Sequence, residues 1–152
     1  MSFLWSLGSF IIAIAVLVSV HEYGHFWAAR KCGIKVHRFS IGFGKVIWKR
    51  IDKHGTEFAV SMIPLGGYVK MLDGRNETVP VEQKSQAFDS KSVLQRAFVI
   101  IAGPLANFIF AIFAYWVIYL YGMPSVKPVI ESITPSSIAA QAHIEPNTQI
   151  LA

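Results

Sequence analysis

Five consecutive residues, His21-Glu22-Tyr23-Gly24-His25, carry the clearest chemistry in the chain. They match the pattern H-E-x-x-H. On a helix, positions i and i+4 share one face, so His21 and His25 can present two imidazoles to one metal ion. Glu22 stands beside the first imidazole and can reach water held by that metal. Zinc lowers the pKa of such a water to about 7, and a carboxylate can take its proton and pass it to a leaving amine. Gly24 leaves the helix face open for close approach. The pattern therefore predicts Zn2+, with His21 and His25 as metal ligands and Glu22 as the catalytic base. A second constellation is Gly103-Pro104-Leu105-Ala106-Asn107. Gly103 and Asn107 share a helix face, and glycine lets helices pack closely. Two readings of Asn107 stand side by side: a hydrogen bond gluing two helices, or a hold on substrate backbone or an oxyanion near the metal.

The elements that position these residues are apolar. Of the 152 residues, 53% are hydrophobic and only 15% charged, with a mean hydropathy of +0.46. Soluble chains carry about 25% charge. This balance argues against a disordered tail, a coiled coil, a disulfide scaffold or a small soluble core. Phe3 to Val20 holds 18 residues without a charge, and the helix pattern runs on to Ala29. That is long enough for a spanning helix, about 20 residues. The first base is Arg30, after the apolar run, where a signal peptide would place bases before it. Phe3 to His21 rises roughly 27 Å, which puts the histidine pair near one side of the hydrocarbon core. Ionisable residues there are expensive and functional by default. A second span is expected over residues 97–122, uncharged and with Trp and Tyr gathered at its C-terminal end. Asp89 or Ser90 is expected to cap it.

Residues 30–96 carry 13 bases and 6 acids, whereas residues 1–29 hold one acid and no base. The positive-inside rule places this loop in the cytoplasm and both ends of the chain outside. The basic run is read as topology and contact with the lipid bilayer, with no nucleic acid partner, since no nucleic-acid motif accompanies it. Cys32 is the only cysteine and is expected to be an inert or lipid-adjacent residue. Val36 to Gly44 reads as extended, with bends or close approach at Gly42 and Gly44. Residues 56–71 predict a β-hairpin: Phe58, Val60 and Met62 alternate, Pro64 to Gly67 supply a turn, and Tyr68 to Met71 resume. Residues 75–90 read as a polar loop.

Four segments in order, HEYGH in a first span, FSIGFG, IPLGGYVKM and AGPLANF, resemble the site-2 protease-type intramembrane zinc metalloproteases. The resemblance covers essentially the whole chain. It implies an α-helical membrane protein of a bacterial inner membrane: a transmembrane helix with HExxH (3–29), a basic cytoplasmic loop (30–96) with a membrane-associated β-hairpin near 56–71, and a transmembrane helix with GPxxN (97–122). It also implies the start of a periplasmic PDZ domain over 126–152, with a departure at Asn147-Thr148, where Gly-Asp is common. It implies cleavage of a membrane-spanning protein substrate, such as an anti-sigma factor already trimmed by a periplasmic protease. Gly66 and Gly67 resemble the hairpin element that engages substrate as an extended strand, and Asn107 matches the asparagine of the GPxxN element. The family's third ligand is an aspartate in an LDG element of a later span. Leu72-Asp73-Gly74 has those letters but lies in the polar loop. On this reading the chain is the N-terminal portion of a protease, with two of three ligands. The competing expectation is a truncated, non-catalytic membrane protein that binds partners through its hairpin and PDZ-like tail.

Overall fold

The computed structural model describes residues 2–122, 129–135, 137–142, 144, 145 and 148. The chain forms two compact units, Met1–Ala114 and Tyr115–Ala152. Helix α1 spans Ser2–Lys31 and helix α2 spans Val93–Tyr121. At 30 and 29 residues, both are long and apolar enough to cross a membrane. Each exceeds the ~30 Å hydrocarbon thickness at 1.5 Å per residue. Their large apolar side chains, among them Phe3, Trp5 and Ile12 on α1 and Phe108 and Ile112 on α2, face outward.

Helix α1 stops where Gly33 takes φ +66°, a backbone state that suits glycine. The Gly33 N–H then donates to the Arg30 carbonyl at 3.0 Å, and the Ile34 N–H to the Ala29 carbonyl at 2.9 Å. These two bonds satisfy carbonyls that a helix end leaves unpaired. The buried Ile34 side chain is thereby turned back into the core.

Helix α2 starts four residues before the expected position 97. Its N-terminal device is neither Asp89 nor Ser90. The Gln95 N–H donates to Ser92 Oγ at 3.3 Å, and the Ser92 N–H donates to Gln95 Oε1 at 3.2 Å. This is a reciprocal capping box. Asp89 instead accepts from the Gly74 N–H, and the Ser90 hydroxyl donates to the Lys84 and Ala87 carbonyls. A short 3-10 helix, Val81–Gln86, lies inside the segment read as loop.

The hairpin is larger than its expected bounds. Strand β1 spans Val36–Ile51 and strand β2 spans Glu57–Met71, paired antiparallel. The connecting turn is Asp52 to Thr56. There Asp52 Oδ1 accepts from the His54 and Thr56 N–H groups at 2.9 Å, and Gly55 takes φ +78°. The turn is tied to α1 because Arg30 bonds both Asp52 and Thr56. Burial pushes the Asp52 carboxyl upward, but the bonds from Thr56, Arg30 and His54 outweigh it and hold the group below its ordinary value. Thr56 is fully buried, and its hydroxyl donates to the Val36 carbonyl at 2.8 Å.

Pro64 to Gly67 lie within β2 rather than between two strands, yet the chain does double back there. Ile41 pairs with both Val60 and Gly67, and Ser40 with both Ala59 and Tyr68. The bend in β1 falls at Gly42 and Gly44, with φ +87° and +83°. A Cβ on Gly42 would stand 2.8 Å from the Ile63 carbonyl oxygen and 2.9 Å from that of Ser61. Both the bends and the close approach expected of these glycines are present.

Phe26, Phe39 and Phe58 stack in tilted and edge contacts at 5.4–5.5 Å. They form one core with Ala28, Ala29, Ile34, Val36, Val99 and Ala102. Aromatic pairs of this geometry add about 0.5–1.5 kcal/mol beyond their buried area. This core locks the sheet and the start of α2 to the end of α1, one turn from the histidine pair. Cys32 is a free, partly buried thiol packed against it.

The second unit holds the end of α2 and a short helix α3, Ile138–Gln141. Ser137 caps α3 by accepting the Ala140 N–H at 3.2 Å. The Ile130 N–H donates to the Thr148 carbonyl. Several residues of the expected PDZ start, including Pro146 and Asn147, fall outside the described residues.

Candidate metal and catalytic site

His21 and His25 lie one turn apart on α1, as their spacing predicts. Their Nε2 atoms are 3.1 Å apart, and the rings meet edge to face at 4.8 Å between centroids. Each ring's other nitrogen is met by α2. His25 Nδ1 stands 2.7 Å from the Val99 carbonyl oxygen and donates to it. His21 Nδ1 stands 3.4 Å from the side-chain nitrogen of Asn107. Holding the second ring nitrogen is how proteins fix the tautomer and orientation of a ligating imidazole.

The stripe on α2 that does this is Val99, Gly103 and Asn107, at i, i+4 and i+8. Gly103 is the cradle. A Cβ there would overlap His25 Nε2 and stand 2.9 Å from His21 Nε2. Both Nε2 atoms therefore lie against the one position where α2 has no side chain. Gly24 serves the same approach from α1: its Cβ would overlap the Ala102 carbonyl oxygen and stand 2.8 Å from Ala106 Cβ. The open helix face expected at Gly24 is where α2 packs.

Glu22 is carried to the neighbouring side of α1 and meets the sheet. A Cβ on Gly67 would stand 2.8 Å from Glu22 Cγ, 2.8 Å from the Ser40 carbonyl oxygen and 3.3 Å from Val18 Cγ1. Gly67 thus lets the β2 backbone lie directly on the glutamate. Gly66 faces the other way, against the Phe43 ring. Two clefts flank this contact. One, of about 640 Å³, runs from Glu22 and His25 along Gly67–Met71 to Asp73. The other, of about 350 Å³, is lined by His21, Glu22, Gly66, Gly67 and Asn107.

His21, Glu22, His25, Asn107 and Gly67 are therefore brought together, with Gly66 lining the second cleft. Asp73 is not brought to the histidine pair as part of a three-ligand group. Its carboxylate is engaged by the Arg75 side chain, which holds it below the ordinary carboxylate range. Among the described residues, no group of three His, Cys, Asp or Glu side chains is arranged to hold a metal. Two parts of the site carried no signal of their own in the sequence. The Val99 carbonyl is backbone, and Gly103 read only as a packing glycine. The shared face of 99, 103 and 107 was the available clue.

Residues 9–149 match the profile of Peptidase family M50. The chain belongs to this family. The M50 chain is 96% identical over 151 residues to the regulator of sigma E protease of Haemophilus influenzae, covering 99% of this chain and 34% of that protein. It is 76% identical over its full length to a putative zinc metalloprotease of Pasteurella multocida, covering 34% of that protein. It is 60% identical over its full length to the regulator of sigma-E protease RseP of Escherichia coli, again 34% of that protein. The chain thus spans about a third of the length of the curated relatives it matches. For an M50 chain, two helices long and apolar enough to span and a paired β-hairpin fit a membrane protein.

Proposed function

We propose that this chain is the N-terminal catalytic portion of an intramembrane zinc endopeptidase that cleaves membrane-spanning segments of protein substrates of the anti-sigma-factor type. The observation that carries this is the pair of Nε2 atoms 3.1 Å apart, converging on the side-chain-free Gly103 with Glu22 beside them. The residues present fit zinc: two imidazoles with their distal nitrogens held, and a cradle that a single Cβ would fill. Bound there, zinc would supply a Lewis acid for the scissile carbonyl and for water. His21 and His25 hold it. The family resemblance assigns the third ligand to an aspartate in a later span. Glu22 takes the proton of the attacking water and returns it to the leaving amine nitrogen.

Substrate enters as an extended strand. Tyr68 to Met71 pair with β1 and line the cleft that begins at Glu22 and His25. Adding a strand at this edge would lay the scissile bond across the glutamate. Gly66 and Gly67 give that strand backbone access. The K/R balance supports an inner-membrane protein with residues 30–96 in the cytoplasm and both ends of the chain in the periplasm. Residues 126–152 are read as the start of a periplasmic PDZ domain.

In the purified full-length protein we expect one zinc per chain, its loss in His25→Ala, and cleavage stopped by a chelator and restored by zinc. Undiminished zinc in His25→Ala overturns the reading. For topology, a single cysteine at Arg75 should resist a membrane-impermeant thiol reagent in intact spheroplasts. Labelling there reverses the orientation.

A further inference from the structure

The Asn107 amide stands 3.4 Å from His21 Nδ1, and its oxygen, Oδ1, is buried without a hydrogen-bond partner. Oxygen and nitrogen of an amide are assigned from the surrounding network, so the two orientations can be compared chemically. His25 donates its Nδ1 proton to Val99, which leaves His25 Nε2 as a lone pair. With the Asn107 nitrogen facing His21, His21 Nδ1 must accept. Its proton then sits on Nε2, aimed at His25 Nε2 3.1 Å away. That arrangement is a self-satisfied histidine pair, and it strands Asn107 Oδ1. A His21 carrying its proton on Nε2 cannot ligate a metal through that atom.

With the amide turned over, Oδ1 accepts a proton from His21 Nδ1. Both Nε2 atoms then become lone pairs 3.1 Å apart, an arrangement that suits a cation held by the two together. The turn gives the stranded oxygen a partner and moves the amide nitrogen to the position the oxygen held, so what separates the two orientations is the state of His21. We infer that Asn107 is a positioning residue that makes His21 a metal ligand by accepting its Nδ1–H through the side-chain oxygen. This rests on the zinc reading proposed above. It differs from the substrate or oxyanion contact that the sequence leaves open for Asn107, because its action is on the imidazole.

The test is zinc affinity of the purified full-length protein, measured by competition with a chromophoric chelator, alongside KM and kcat for cleavage. Outer hydrogen-bond partners of ligating histidines typically contribute roughly 10–100-fold in metal affinity. Asn107→Ala should weaken zinc by that factor, and Asn107→Asp, which keeps an oxygen acceptor in place, should restore most of it. Cleavage at saturating zinc should recover in Asn107→Ala with little change in KM. Unchanged zinc affinity in Asn107→Ala overturns the inference, as does equal weakening in Asn107→Ala and Asn107→Asp. Unchanged affinity with a raised KM would make the residue a substrate contact instead. His21→Ala separates the two levels. Zinc lost there but kept in Asn107→Ala sinks only the role of Asn107. Zinc kept in His21→Ala sinks the metal site and this inference with it.

Discussion

Glu22→Gln in the full-length protein should lower cleavage by about 10²–10⁴-fold, the usual contribution of a positioned acid–base group, while bound zinc stays in place. Glutamine has nearly the same volume as glutamate, so it still fits where Cγ lies against the Gly67 backbone. It cannot take a proton from water, and its amide is a poor general acid. Zinc should persist because the two imidazoles are held by α2 rather than by Glu22. The measurement pairs metal content with cleavage of a membrane-inserted substrate. Undiminished cleavage removes Glu22 from the mechanism. Loss of zinc in step with activity would make Glu22 a ligand rather than a base. Glu22→Asp sharpens the outcome: one methylene shorter, it draws the carboxylate back, and partial activity is expected.

The site was legible in the sequence to the extent that chemistry follows a short helical spacing. His21, Glu22 and His25 needed only the i, i+4 rule, and the two apolar runs needed only their length. The hairpin was misplaced for a physical reason. Its turn is made by Asp52 through side-chain bonds to the His54 and Thr56 N–H groups, and the last part of β1, with Lys45, Lys49 and Arg50, shows no clean alternation that would mark it as a strand. Pro64 to Gly67 carry a local turn signal. The chain does reverse there, but within a strand whose two arms share one partner segment, a long-range pairing that no local pattern encodes. The α2 start was missed because Asp89 and Ser90 are good cap residues by type, whereas Ser92 wins by having Gln95 three residues on. The Val99 carbonyl and the Gly103 cradle depend on how α2 lies against α1. Side-chain identity says little about either.

Gly103→Ala should abolish zinc binding, and it isolates the cradle from helix stability. In a helix interior the change from glycine to alanine favours the helix by about 0.8–1.0 kcal/mol, so α2 itself gains. The added methyl, however, would overlap His25 Nε2 and come to 2.9 Å from His21 Nε2. Two relaxations are open, and both destroy the site. The imidazoles can swing away, which breaks the bond from His25 Nδ1 to the Val99 carbonyl and separates the two Nε2 atoms. Alternatively α2 can move off α1, which opens the contact where Gly24 meets Ala102 and Ala106. The loss should exceed the roughly 10–100-fold typical of an outer-sphere partner, because ligand atoms themselves are displaced. Gly8→Ala is the matched control: a Cβ there meets nothing within 4 Å, so zinc and cleavage should be unaffected. Full zinc content in Gly103→Ala would mean that the metal does not sit where the two histidines converge.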